Sequence, residues 1–266
     1  MDSEKEHKKP KLNIVKVGGQ IIEDQQMINS LMVRFAKMDG YKILVHGGGK
    51  RATEIERKLG IESKLFKGRR ITSKESLDVV VMVYGGLVNK TIIAGLQANN
   101  CNAIGLCGAD GSTILAHKRP VGEVDFGFVG DIIKVNPALI TQLIKNNITP
   151  VFCALTHDGA GQLLNTNADT IASELAIGLS NTFEVSLLYC FEKKGVLKNI
   201  EEADSIIRKI DRESYRLLLE QRIIGEGMLP KLHNSFNALE AGVHRVYIGD
   251  ISMLEKDTKE FTIITL

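Results

Sequence analysis

Short apolar runs alternate with amphipathic stretches along most of the chain, and glycines sit at the junctions. Asn13–Val17 reads as a buried strand followed by a turn at Gly18-Gly19. Ile28, Leu31, Met32 and Phe35 then recur at i, i+3, i+4 and i+7, which predicts one apolar helix face. Gly40 is expected to close that helix. Tyr41–Val45 is a second buried run, followed by His46-Gly47-Gly48-Gly49 and a helix marked by Ala52, Ile55 and Leu59 and ended by Gly60. Two strand-turn-helix units in succession predict a parallel sheet with helical crossovers.

Lys64–Ile71 reads as a short hairpin or loop, and Ser73–Gln97 as a long apolar helix with a break expected at Gly85-Gly86. Such a helix suits either a subunit interface or burial within one chain. Asn102–Leu106 is a strand; Thr113–Lys118 and Phe126–Val135 are antiparallel strands. Pro137–Asn146 is a helix and Thr149–Leu155 a buried strand. Asn167 is a good N-cap for a helix with Ile171, Leu175 and Leu179 inside. Past residue 180 the pattern predicts a strand at Phe183–Cys190 and helices at Ala203–Ile210 and Glu213–Gln221. Pro230 opens a helix carrying Leu232, Phe236 and Leu239, and His244–Ile248 and Phe261–Ile264 are the last strands. The motif distribution divides the chain into lobes 1–180 and 181–266.

Composition changes this picture little. With 266 residues, 44% hydrophobic, and a net charge of +2, the chain can bury a large core and lacks the charge excess of a nucleic-acid or membrane binder. No uninterrupted apolar run approaches the roughly 20 residues of a transmembrane helix. The N-terminus is charged and has no apolar core of a signal peptide. Cys101, Cys107, Cys153 and Cys190 form no CxxC pair and read as reduced, packed thiols. Together these features predict a cytoplasmic protein.

The candidate chemistry lies at the glycine turns. Lys16-Val17-Gly18-Gly19 and Gly47-Gly48-Gly49 follow neighbouring strands, so both would reach the carboxyl edge of the sheet, where ligands bind in open α/β folds. Glycine lets backbone N–H groups approach a phosphate, and each following helix adds the positive end of its dipole; a tight turn without a ligand is the alternative. Lys16 at a buried strand end calls for an anionic partner. Lys231 near a helix N-terminus opposes the dipole, so it either meets an anion or extends into solvent. Asn167 and Asp169 suit a helix start, a role that does not cover Asn165. Arg69-Arg70 reads as a carboxylate fork or as solvated surface. The Walker-A pattern, the dinucleotide-binding GxGxxG after the first strand, and the GxSxG nucleophile elbow are all absent from the sequence, which excludes the enzymes that depend on them.

In order along the chain, Lys16–Gly19, His46–Gly49, Gly68–Thr72, Gly105–Gly111, Phe126–Asp131, Asn165–Asp169 and Gly227–Lys231 resemble the amino acid kinase family, within it the branch acting on N-acylated glutamate. The resemblance implies a three-layer αβα sandwich on a mostly parallel sheet of about eight strands. It implies an acyl-amino-acid-binding and dimer-forming lobe at 1–180, an ATP-binding lobe at 181–266, and a homodimer. It implies ATP-dependent phosphorylation of the side-chain carboxylate of a glutamate N-acylated with acetyl or succinyl, with an acylated aminoadipate or a silent metabolite-binding role as alternatives. Lys16 and Lys231 would neutralise the phosphoryl group in flight, and Asp169 would hold both lysines. Gly18, Gly19, Gly47, Gly195 and Gly227 would face ATP; Gly48, Gly49, Arg70 and Asn165 would face the amino-acid substrate. No protein metal site is implied, since Mg²⁺ would ride on the ATP phosphates. Independently, a carboxylate with a reference pKa of about 4.3 is already ionised, so its attack needs no general base.

The chain departs from the family's usual pattern at Lys67-Gly68-Arg69-Arg70, commonly Asn-Gly-Leu-Arg, and at Tyr189–Lys194, where an acidic residue is usual. The extra positive charge suits an acyl group with its own carboxylate. The short, charged segment Met1–Leu12 implies that the extra N-terminal helix of arginine-inhibited relatives is missing.

Overall fold

The computed structural model describes residues 9–199, 201–221, 223–225 and 228–266. Residues 1–8 and Gly227, for which expectations are given above, lie outside them. In chain order the elements are β1 (Lys11–Val17), α1 (Gly19–Glu23), α2 (Gln25–Lys37), β2 (Tyr41–His46), α3 (Gly49–Lys58), β3 (Lys64–Phe66), β4 (Arg69–Ile71), α4 (Lys74–Val80), α5 (Asn89–Ala98) and β5 (Ala103–Leu106). There follow β6 (Ile114–Lys118), β7 (Gly130–Val135), α6 (Pro137–Lys145), β8 (Thr149–Cys153), β9 (Leu155–His157), β10 (Leu163–Asn165) and α7 (Ala168–Leu179). The chain ends with β11 (Glu184–Cys190), β12 (Lys209–Ile210), α8 (Arg212–Glu220), α9 (Leu229–Glu240), β13 (Arg245–Gly249) and β14 (Thr262–Ile264).

Eight strands form one sheet in the order β12-β14-β13-β11-β1-β2-β8-β5, parallel except for the β13–β14 pair. Helices α2 and α5 pack together over one face, and α7 and α9 over the other, giving the three-layer αβα sandwich. Because both faces are covered, the central strands are apolar at successive positions rather than alternating: Ile14, Val15 and Val17, and Ile43, Leu44 and Val45, are fully buried. A second, four-stranded sheet, β10-β9-β6-β7, and the β3–β4 hairpin lie beside it.

Four sequence expectations are corrected. The run from Thr149 splits at Ala154 into β8, in the main sheet, and β9, in the second. Ala203–Ile210 is not a helix. Its isoleucines pair as extended chain instead: Ile206 bridges Leu197, the Ile207 N–H donates to Val196, and β12 adds to β14, tertiary pairing overriding weak helix propensity. Helix α2 stops at Lys37, and Gly40 takes its positive φ in the turn beyond. The helix through Gly85-Gly86 does not break: α4, a π-helical segment at Val81–Val88 and α5 run on as one helix. Its 25 residues are long and apolar enough to cross a membrane by length and composition, yet Leu77, Val80, Val83, Ile92 and Leu96 face the core.

Candidate functional site

Strands β1 and β2 pair in parallel, so their glycine turns leave the sheet side by side. The first is tied to β11 by the Gly18 N–H, which donates to Cys190 O at 2.9 Å. The second passes so close to the long helix that a Cβ on Gly48 would lie 2.8 Å from Tyr84 Cδ1; only glycine fits there. Helix α3 starts at Gly49 and aims its positive end at the same edge.

Between the turns lies a buried charge cluster. Asp169, in the first turn of α7 and 7% exposed, receives Lys16 Nζ at 2.6 Å on one carboxylate oxygen and Lys231 Nζ at 2.9 Å on the other. Asn167 caps α7, accepting from the N–H groups of Asp169 and Thr170, and so fixes where the carboxylate points. Burial opposes ionisation of Asp169, but the two ammonium groups outweigh it and hold its carboxyl at about 2. The cluster therefore carries two positive charges and one negative.

Arg70 sits in a different arrangement. One terminal nitrogen pairs with the fully buried carboxylate of Glu56; the other donates to Gly49 O at 2.8 Å and Thr53 Oγ1 at 2.6 Å. Glu56 also accepts from Ser76 at 2.6 Å and from Ser63. Asn165, at the end of β10, donates to Thr72 Oγ1 at 3.0 Å and is largely buried.

Two cavities meet at Gly47–Lys50. The first, about 640 Å³, is lined by Lys16, Gly18, Gly19, Lys231 and Gly195, with an apolar end of Phe191, Val196, Leu197, Ile223, Ile224 and Met228. The second, about 820 Å³, is lined by Arg69, Arg70, Arg119, Asn165, Tyr84, Tyr215 and His233. Asp169 lines neither and sits behind the two lysines. Gly195 is buried against β14, where a Cβ would meet Thr262 Oγ1 at 2.7 Å. Lys67 turns its ammonium onto the Phe66 ring, 5.0 Å from the centroid, and does not line either cavity.

A profile described as Amino acid kinase family matches residues 11–250. The chain belongs to the amino acid kinase family. It is 56% identical over 240 residues to an acetylglutamate kinase of Phocaeicola vulgatus, covering 90% of this chain and 93% of that one. It is 52% identical over 253 residues to an acetylglutamate kinase of Bacteroides fragilis, covering 95% and 97%. The fold is that of the protein smu.665 from Streptococcus mutans, with a TM-score of 0.77 at 24% identity over 96% of this chain and 98% of that one.

Against this family frame, several buried groups carry no signal in the sequence. Glu56 is fully buried in a helix whose pattern looks like solvated surface, and Tyr84 and Asn89 lie in what reads as a plain apolar stretch. His46, at 0% exposure, is pushed down to about 4 by burial. Among the described residues no three His, Cys, Asp or Glu side chains are placed to hold a metal ion, and both oxygens of Asp169 are engaged by lysines.

Proposed function

We propose that this chain is an acetylglutamate kinase, transferring the γ-phosphoryl group of ATP to the side-chain carboxylate of N-acetyl-L-glutamate. The observation that carries the reading is the Lys16–Asp169–Lys231 cluster, whose two lysines line the first cavity beside the glycine turn that it shares with the second, with relatives of that name matching along nearly the whole chain. ATP would lie in the first cavity, its base among Phe191, Leu197 and Ile224 and its phosphates over Gly18, Gly19 and Gly47. The amino acid would lie in the second cavity, with its α-carboxylate toward Arg70 and its acylamino group toward Asn165. Lobe 1–180 supplies most of the second cavity and lobe 181–266 the apolar end of the first.

A carboxylate oxygen attacks the γ-phosphorus, the bond to the ADP oxygen breaks, and an acyl phosphate and ADP leave. The attacking group is already an anion, so the obstacle is repulsion, roughly 4 kcal/mol for two unit charges about 4 Å apart at an effective dielectric of 20. Lys16 and Lys231 offset it from fixed positions, since Asp169 holds both before substrate arrives. Backbone N–H groups of the glycine turns receive the charge spread over the moving phosphoryl oxygens. A divalent cation on the phosphates would supply further charge neutralisation.

The enzyme is expected in the cytoplasm as a homodimer, its second copy against the long helix, where Met82 and Leu87 are 57% and 48% exposed. A coupled ADP-release assay with acetyl-, succinyl- and free glutamate tests the activity. The acetyl compound should give the highest kcat/KM; turnover of free glutamate alone, or of none of the three, would refute the reading.

A further inference from the structure

The long helix is α-helical at both ends and π-helical over Val81–Val88. The backbone N–H of Asn89 is shared between the carbonyls of Gly86 and of Tyr84, five residues back, and the latter is the bond that defines a π turn. In an α-helix, at about 100° per residue, side chains five apart point about 140° away from each other. A π turn, with more residues in each turn, brings them closer to the same side. Here both reach the loop after β2. The Tyr84 ring fills the space beside Gly48, with its hydroxyl near Gly49, while Asn89 Nδ2 donates to His46 Nε2 and to Val151 O, each at 3.0 Å.

Proton positions follow from chemistry. A carbonyl oxygen only accepts, so Val151 O fixes the orientation of the Asn89 amide, and His46 Nε2 must accept the second amide hydrogen. Across the ring, Nδ1 lies 2.7 Å from Gly47 O. That oxygen also only accepts, so the single imidazole proton is on Nδ1. Asn89, His46 and Gly47 thus form a one-directional hydrogen-bond chain, with both side chains buried. In a trans peptide the carbonyl of Gly47 and the N–H of Gly48 point in opposite directions within one plane. Holding the carbonyl inward therefore aims the Gly48 N–H outward, toward the junction of the two cavities.

We infer that His46 and Asn89 are positioning residues that fix the glycine turn for phosphoryl transfer, and that the π turn serves to bring Asn89 and Tyr84 onto that turn together. The kinetic part of this inference rests on the kinase reading; the tautomer does not.

The test uses the full chain with ¹⁵N-labelled histidine. The His46 signals should report Nδ1 protonated and Nε2 bare, unchanged between about pH 8 and 5.5. Asn89→Asp, whose carboxylate accepts, should move the proton to Nε2, free the Gly47 carbonyl and lower kcat at least about tenfold, with a smaller change in the KM for ATP. His46→Asn retains an N–H close to the Nδ1 position and should keep more kcat than His46→Leu by about tenfold, which decides the matter if Asn89→Asp does not fold. A wild-type proton on Nε2, wild-type kcat alongside a reversed tautomer, or equal kcat in the two His46 variants would each overturn the inference. An inactive wild type with Nδ1 protonated would overturn the kinase reading and leave the fixed Gly47 carbonyl standing.

Discussion

The two buried ion clusters flanking the glycine turn are built to opposite ends. Around Asp169 two cations share one carboxylate, so the cluster has a positive charge to spare and points it into a cavity. Around Glu56 one cation meets one carboxylate, which occupies one terminal nitrogen of Arg70 while a carbonyl and a hydroxyl occupy the other. A surplus charge is costly to bury without an anion and so prepares a place for one. A balanced cluster attracts little and holds a shape. The first has charge to offer an anion; the second holds a guanidinium in one orientation.

The sharpest way to break this contrast is Asp169→Asn, which leaves two ammonium groups facing each other without their carboxylate. It should cost about 3–5 kcal/mol in urea unfolding, and a loss below about 1 kcal/mol would mean the lysines separate freely. Lys16→Ala or Lys231→Ala should instead preserve the fold and lower kcat about 10²–10³-fold, with little change in either KM; near-normal kcat would remove that lysine from the reaction.

Acid unfolding probes a third buried group. Folded His46 has its pKa at about 4 against 6.5 for the free side chain, so the unfolded chain binds the proton first as pH falls. Stability is complete above 6.5 and should drop by about 3 kcal/mol by pH 4, a loss that His46→Asn abolishes in thermal melts across that range. Asp169 acts only at lower pH, its contribution fading from 3.8 down through about 2. The smallest effect belongs to Glu56→Gln, which keeps a hydrogen bond to Arg70 but loses the charge. It should raise the KM for the amino acid about tenfold and leave kcat within a few fold. A larger fall in kcat than rise in KM would assign Arg70 to the transition state.

How much of this was legible in advance depended on whether the signal was local. Apolar periodicity and glycine placement located the parallel strands, the helical crossovers and the two glycine turns, because strand, turn and crossover are written in neighbouring residues; the αβα layering came from the resemblance to the family. Lys16 and Lys231 stood out because a lysine is anomalous at a strand end or a helix start. Glu56 looked like one more charge on a polar helix, since nothing nearby shows that Ser63, Arg70 and Ser76 will close over it. The extended run at 206–210 was read as helix because its partners, Leu197 and β14, lie far away in sequence. The π turn was invisible for a similar reason: Gly85-Gly86 lowers helix propensity, and only the packing of Tyr84 and Asn89 turns that weakness into a widened turn.

The central pairing of the sheet has a consequence for how the chain is made. Strand β1 lies between β2, which follows it closely, and β11, which begins at Glu184. As the protein emerges from the ribosome, the first strand waits until about 190 residues have been synthesised before its second edge is covered, and such distant pairings are slow to form. The turn at Gly18 gains its anchor, Cys190, at that same late moment. A fragment ending near residue 180 would therefore expose an apolar strand edge and aggregate rather than persist as a folded half.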